Sequence, residues 1–163
     1  MFDFSENIEI EKNFSVSYRE VLKHVFPLLT ESRQRRIQEV VEKRCFNCSV
    51  VLENIYDRGN ASAVMRSAEA LGFSQIHMIE LGDKFKESQR TTAGADKWLE
   101  LKKWKSTVEC VVELKRQGQQ IVVTHLAASS VDISEVDFTK PSALVLGNEK
   151  DGASKEMIAA AYV

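Results

Sequence analysis

The chain has little proline and glycine and no long apolar segment, and each absence excludes a class of protein. Only 2 prolines and 7 glycines occur among 163 residues, and no segment is repetitive, which excludes fibrous and low-complexity chains. No apolar run approaches the roughly 20 residues that a membrane-spanning helix needs. The N-terminus, MFDFSENIEIEKN, contains no apolar signal core. These absences predict a cytoplasmic protein with no membrane partner.

Cysteine is also scarce. The 3 cysteines are an odd number, which fits a reducing compartment better than a disulfide framework. Cys45 and Cys48 form a single C-x-x-C motif, but it follows a helix-like stretch and precedes a strand, unlike a thioredoxin site. A structural zinc site needs a second pair of ligands, and neither Cys110 nor the histidines have that spacing. We therefore predict unreactive thiols and no metal.

The chain has no excess of basic residues, since its net charge is −2 and its pI is near 6.0. Its overall charge therefore does not predict a nucleic-acid-binding protein. The segment SRQRRIQEVVEKR, residues 32–44, is locally basic. Its basic residues are Arg33, Arg35, Arg36, Lys43 and Arg44. Composition alone leaves two interpretations open: a solvated helix face with pairing glutamates, or a surface that contacts RNA.

The N-terminal quarter of the chain shows two patterns. Residues 1–17 are polar and predict a weakly ordered leader. Apolar residues then recur at helical spacing over 18–44. Pro27 should break or kink this run, and Thr30 or Ser32 could cap a second helix.

The rest of the chain alternates between strand-like and helix-like segments. Strands are predicted over 49–55, 75–81, 97–104, 120–126 and 142–147, and helices over 60–72, 106–118 and 154–162. Asn60 is a suitable N-cap for the first of these helices, and Gly72 a suitable stop. This alternation predicts an α/β fold with a mainly parallel sheet flanked by helices.

Three polar loops should meet at the carboxyl edge of this sheet, where α/β proteins bind ligands. They follow Ile55, Val123 and Leu146 and read YDRGN, THLAASS and GNEKDGAS. The first strand is not followed by G-x-G-x-x-G, and the chain has neither a Walker sequence nor a G-x-S-x-G elbow. Dinucleotide binding of the usual kind, P-loop chemistry and hydrolase chemistry are therefore disfavoured.

Arg66 is unusual because it lies inside an otherwise small and apolar helix, ASAVMRSAEALG. It is either a surface residue or a phosphate-binding group, since helical side chains lean toward the helix N-terminus and hence toward the strand ends. Glu149, after the last strand, is either a turn residue or a partner that fixes Arg66. Asn60 is either a plain cap or part of the same site.

Two segments identify a family. NIYDRGNASAVMRSAEALGF resembles the first signature of the SpoU group of RNA ribose methyltransferases, and LVLGNEKDGAS resembles the second. Between them, TTAGADKWLELKKW is similar to the segment typical of the TrmH branch, and PLLTESRQRRIQEVVEKR resembles the N-terminal basic helix of that branch. Two ordered signatures at the right separation make the resemblance specific.

The resemblance implies a SPOUT-type α/β fold with a C-terminal trefoil knot, a homodimer, and methyl transfer from S-adenosyl-L-methionine to a ribose 2′-hydroxyl. By position, Arg66 would be the catalytic arginine, Asn60 would support it, and Glu149 would hold the site together. The cofactor would contact Thr124, His125, Leu126, Gly147 and Asn148. The RNA-binding residues would be Arg33, Arg35, Arg36, Arg44 and Arg90.

The TrmH branch implies methylation of a guanosine in the D-loop of tRNA. Residues 1–45 would form a short helical RNA-binding extension, and residues 46–163 the methyltransferase domain. Two alternatives stay open. Ribosomal RNA methyltransferases share both signatures but usually carry a different N-terminal domain. A truncated, non-catalytic RNA-binding paralogue would keep the sheet without the pocket.

The third family signature should follow SKEMIAAAYV, but the chain stops at Val163. In the family this signature completes the cofactor pocket and the knot. We therefore expect a C-terminally truncated domain that lacks the knot segment and is inactive as a fragment.

Overall fold

The computed structural model describes residues 6–80, 92 and 94–162. The chain divides into two compact units, and the boundary falls between Arg44 and Cys45. Within the described residues, no helix is both long enough and apolar enough to cross a membrane.

The N-terminal unit contains a hairpin and two helices. Its elements are β1 (Asn7–Glu11), β2 (Phe14–Ser17), α1 (Tyr18–His24), a 3-10 turn (Phe26–Leu28) and α2 (Glu31–Glu42). β1 and β2 pair antiparallel, so the prediction of a weakly ordered leader was wrong for these residues. Pro27 lies in the 3-10 turn that separates the helices, and the Thr30 side chain caps α2 by accepting from the Arg33 amide.

The second unit is a five-stranded parallel sheet covered by helices. Its strands are β3 (Cys45–Glu53), β4 (Phe73–Ile79), β5 (Glu100–Trp104), β6 (Gln120–Val123) and β7 (Ser142–Leu146). Its helices are α3 (Arg58–Ala70), α4 (Thr107–Arg116) and α5 (Lys155–Ala160), with 3-10 turns at Ala95–Trp98 and Ile133–Glu135. The predicted α/β class with a mainly parallel sheet is confirmed.

The strand order is β5-β4-β3-β7-β6. The chain runs outward from β3 to β5, restarts at the opposite edge with β6, and then inserts β7 beside β3. Leu52 of β3 is in register with Leu146 of β7. Since parallel strands end at the same edge, the loops that follow β3 and β7 are neighbours.

Alternating residues of the central strands point to opposite faces of the sheet. Val51 and Val145 pack with Cys110, Leu114 and Met157 on the side of α4 and α5. On the other side, the residues that pack under α3 are Val50, Leu52, Ala61, Met65, Ala68, Ile76 and Met78. Both faces of the sheet are therefore buried, which explains the continuous apolar strands.

Caps set the ends of α3. Asp57 is its N-cap and accepts a 2.6 Å hydrogen bond from the Gly59 amide. The prediction that Asn60 caps this helix was wrong, because the helix begins earlier and leaves the Asn60 side chain available for another contact. Gly72 follows the C-cap with φ 86°, a left-handed conformation that glycine adopts without strain.

Burial keeps several titratable groups of the core uncharged. It lowers the pKa of His77 to about 4 and raises the pKa of the Cys110 thiol to about 12. The pKa of Cys48 rises to about 11, first through burial and then through Cys45. The predicted unreactive thiols are consistent with these shifts. No cluster of metal-binding side chains occurs among the residues that the structure describes.

Candidate active site

Glu149 connects the loops that follow β3 and β7. Its carboxylate accepts hydrogen bonds from the Tyr56 amide (2.8 Å), the Asp57 amide (3.2 Å) and Asn60 Nδ2 (2.8 Å). The first loop and the first turn of α3 are thus fixed by a residue about 90 positions away. The structure brings Asn60 and Glu149 into direct contact, and they are residues to which the family resemblance assigns roles.

These hydrogen bonds stabilise the charged form of Glu149. The Asn60 side chain contributes most, followed by the Tyr56 amide, and together they lower the pKa of Glu149 from its ordinary 4.5 to about 2. The carboxylate is exposed, so water screens part of this effect. At neutral pH the group is ionised and acts only as an acceptor.

The contribution of Glu149 to stability should depend on pH. Because its pKa is lower in the folded state, the contribution is complete above pH 4.5 and is lost as the pH falls toward about 2. We expect the free energy of unfolding to differ between wild type and Glu149→Gln by a constant amount at higher pH. The difference should shrink within that acidic window. Urea unfolding of both proteins checks this, and a constant difference down to the lowest pH would contradict it.

Asn148 organises its own loop. Its Nδ2 donates to the Asn54 carbonyl (2.7 Å), and its Oδ1 accepts from the amides of Lys150 and Asp151 (2.9 and 3.0 Å). Its main chain also pairs in both directions with Gly152 (2.9 Å). Asn148 is predicted to contact the cofactor, and its side chain is engaged in the turn itself. Asn54 has φ 53°, a conformation that asparagine tolerates better than most residues.

Gly147 has no room for a side chain. An added Cβ would lie inside van der Waals contact with the Ala153 amide nitrogen and the Gly152 carbonyl carbon, and 2.7 Å from the Gly152 oxygen. The turn 148–152 folds back over this glycine. The fold of the turn therefore requires glycine at position 147, independently of any ligand that the loop binds.

Glu53 is a second glutamate at this edge, and sequence reasoning missed it. It is the last residue of β3 and only 2% exposed. Its Oε1 accepts from Thr107 Oγ1 (2.7 Å) and Ser154 Oγ (2.6 Å), and its Oε2 accepts from the Ser154 amide (2.8 Å). The only available signal was an acidic residue closing the buried strand sequence CFNCSVVLE.

Arg66 lies on the exposed side of α3. Of the two interpretations of Glu149, the structure does not show direct pairing with Arg66: the carboxylate binds Asn60 and two main-chain amides. Within the described part of the chain, the Arg66 guanidinium forms no hydrogen bond or ion pair. The group is therefore available to an external anion.

The loop after β6 lies at the same edge. The amide and the hydroxyl of Thr124 both donate to the Val145 carbonyl (3.1 and 2.9 Å), which ties this loop to β7. The His125 carbonyl accepts from Ser130 Oγ (2.8 Å), and Leu126 is 97% exposed. Thr124 and His125 are thus placed near the end of β7, as the sequence predicts.

A cavity of about 100 Å³ opens beside this loop. Its lining is mostly apolar and includes Val122, Leu144 and Ile133, with Thr124 and His125 at one side. Whole small-molecule sites usually measure about 300 Å³ or more. The cavity formed by the described residues is therefore smaller than a whole small-molecule site.

The predicted RNA-binding residues lie mainly in the N-terminal unit. Arg33, Arg35 and Arg36 are exposed on α2, and Arg44 is half-buried directly before β3. Arg90 lies outside the described residues. Three of the predicted residues are thus accessible to solvent on one helix.

Comparison with models of known protein families shows to which family the chain belongs. The model of the SpoU rRNA Methylase family matches residues 47–163. The chain belongs to this family. The prediction from the two signatures is confirmed.

A relative of this SpoU family chain is the tRNA (guanosine(18)-2′-O)-methyltransferase of Escherichia coli (strain K12). It is 32% identical over 133 residues, which cover 82% of this chain and 58% of that enzyme. The chain therefore spans less than two thirds of the length of this relative.

Solved structures of SpoU proteins have the same fold. The TrmH/SpoU tRNA modifying enzyme of A. aeolicus matches with a TM-score of 0.74 and 38% identity, over 81% of this chain and 68% of that one. The SpoU methyltransferase AviRb from Streptomyces viridochromogenes, in complex with AdoMet, matches with a TM-score of 0.61 and 26% identity, over 70% and 47% of the two chains. The trefoil knot and the truncation stay predictions.

Proposed function

We propose that the complete protein uses S-adenosyl-L-methionine to methylate the ribose 2′-hydroxyl of a guanosine in the D-loop of tRNA. The observation that carries this proposal is the contact between Asn60 and Glu149, which joins the two family signatures at the start of the helix that presents Arg66. The tRNA-modifying relatives in E. coli and A. aeolicus support the choice of substrate. Such a substrate would place the enzyme in the cytoplasm.

Arg66 would bind a phosphate of the RNA and orient the neighbouring ribose hydroxyl. A guanidinium group stays protonated in proteins, so phosphate binding is a better role for it than proton abstraction. Its planar fork matches two phosphate oxygens. Asn60 and Glu149 would fix the start of α3 and so the direction from which Arg66 approaches, and in-line methyl transfer depends on such alignment.

The family cofactor supplies an electrophilic methyl group on a sulfonium. Thr124, His125 and Leu126 would hold it along the loop after β6, and the cavity that Thr124 and His125 line would take part of the molecule. Gly147 would contribute main-chain contacts. Asn148 would act indirectly through its turn, since its side chain already binds that turn and Asn54.

The N-terminal unit would serve as the RNA-binding extension, up to about residue 45, and the unit that follows as the methyltransferase domain. Arg33, Arg35 and Arg36 would neutralise tRNA phosphates, with Arg44 and Arg90 as further contacts. Binding through phosphates releases counterions, so RNA affinity should fall steeply with salt. The complete protein would be a homodimer, as in its family.

The direct test uses the complete protein, methyl-labelled S-adenosylmethionine and an unmodified tRNA transcript. We expect label on the ribose of a D-loop guanosine, mapped by nuclease digestion. A transcript with 2′-deoxyguanosine at that position is the matched control and should accept no label, because it lacks the hydroxyl. The same assay is run with ribosomal RNA as the acceptor. Label on ribosomal RNA and not on tRNA would show that ribosomal RNA is the substrate. No transfer to either RNA would support a non-catalytic RNA-binding protein.

A further inference from the structure

We infer that Glu53 is a positioning residue for this site: its buried carboxylate holds the end of the β7 loop in the arrangement that lets Glu149 fix the start of α3. The inference rests on the proposed function, because the site it positions is the proposed methyl-transfer site. The effect of Glu53 on the arrangement of this site can, however, be tested without any assay of activity.

Glu53 and Glu149 link the same two parts of the chain, but from opposite sides. Glu149 extends from the β7 loop to the start of α3, whereas Glu53 extends from the end of β3 to Ser154, the N-cap of α5. Asn148 adds a third link through the Asn54 carbonyl. The segment 147–154 is therefore held at two places. Near its beginning, Asn148 and Glu149 bind the loop after β3 and the start of α3. At its end, Ser154 binds Glu53.

The hydrogen bonds of Glu53 require a carboxylate. Three donors point at it, and each of its oxygens accepts at least one of them. A glutamine would change these bonds in either orientation: its NH₂ group would face the Ser154 amide, or both hydroxyls would have to accept instead of donate and would lose the acceptor of their protons. In the described part of the chain Glu53 forms no ion pair, so these hydrogen bonds alone compensate its burial.

Variants at two partners of Glu53 can distinguish a positioning role in the site from a contribution to folding stability alone. Ser154 belongs to the β7 loop that carries Glu149, whereas Thr107 belongs to α4, and both hydroxyls donate to Oε1 of Glu53. Ser154→Ala and Thr107→Val each remove one hydroxyl from Glu53, and Ser154→Ala also removes the oxygen that accepts from the Met157 amide at the start of α5. If Glu53 acts through the β7 loop, only Ser154→Ala should disturb the proposed methyl-transfer site.

The first readout is steady-state methylation of tRNA by Glu53→Gln, Ser154→Ala and Thr107→Val. Misplacing a positioned group by about 1 Å can cost up to about 100-fold. We expect kcat to fall on the order of tenfold in Glu53→Gln and severalfold in Ser154→Ala, with little change in the KM for tRNA. Thr107→Val should lower thermal stability but keep kcat within about twofold. Equal effects of the Ser154 and Thr107 changes on kcat would overturn the inference.

The second readout is hydrogen exchange at the amides of Tyr56 and Asp57, which bind Glu149 and not Glu53. We expect faster exchange there in Glu53→Gln and Ser154→Ala, and wild-type exchange in Thr107→Val. Unchanged exchange at both amides in Glu53→Gln would overturn the inference. If the wild-type protein does not methylate tRNA, the proposed function fails, while the exchange experiment still decides the role of Glu53.

Discussion

Replacing Arg66 with alanine is expected to lower methyl transfer to tRNA by about two to three orders of magnitude, the loss typical of removing a group that stabilises or orients charge in the transition state. Folding should persist, because Arg66 is exposed and its guanidinium forms no hydrogen bond or ion pair with the described part of the chain. Transfer of labelled methyl groups, measured beside the thermal unfolding midpoint, checks both statements.

Two variants sharpen this experiment. Arg66→Lys keeps the charge but not the planar fork, so we expect it to recover only a small part of the activity. Arg116→Ala removes another exposed helical arginine, one that pairs with Glu113 on α4. Arg116→Ala should lower the free energy of unfolding by at most about 1 kcal/mol and leave methyl transfer unchanged. Wild-type kcat in Arg66→Ala would rule out the proposed role.

Replacing Gly147 with alanine is expected to destabilise the protein and abolish activity together. The new methyl group would overlap the main chain of Gly152 and Ala153, which cannot move without opening the turn. Overpacking of this kind costs typically about 1–3 kcal/mol. The displaced turn carries Asn148 and Glu149, so the contacts with Asn54 and Asn60 should weaken as well. Urea unfolding and methyl transfer measure the two effects.

Gly118→Ala is the matched control for Gly147→Ala. Gly118 has φ 70°, and an added Cβ would meet nothing within 4 Å. Alanine there should cost about 1–2 kcal/mol through backbone strain alone and leave kcat unchanged. If the two alanine variants have equal stability and equal kcat, the close approach of the turn to Gly147 has no functional consequence.

Local patterns in the sequence predict most of the individual elements. Alternation of apolar strands and amphipathic helices predicts the α/β class, because burial on both faces requires continuous apolar strands. Gly72 marks the end of α3, since its left-handed φ is costly for other residues. Boundaries shift by a few residues where a second capping residue lies nearby, and so Asp57 rather than Asn60 is the N-cap of α3.

The N-terminal hairpin shows the limit of local patterns. The segments NIEIE and FSVS do alternate between apolar and polar residues as strands do, but they are only 5 and 4 residues long, and Asn7–Glu11 are exposed along their whole length. Their pairing with Phe14–Ser17 depends on main-chain hydrogen bonds. Composition alone therefore made this segment look unstructured.

The sequence by itself determined which residues are candidates for the site, because the two signatures name Asn60, Arg66 and Glu149. Only the tertiary structure decided how they are connected. Asn60 and Glu149 are 89 positions apart, and Glu53 and Ser154 are 101 positions apart. Insertion of β7 beside β3 brings each pair together, and no pattern along the chain encodes that order. For the same reason Glu149 binds Asn60 rather than Arg66, and the buried Glu53 becomes visible only in the folded chain.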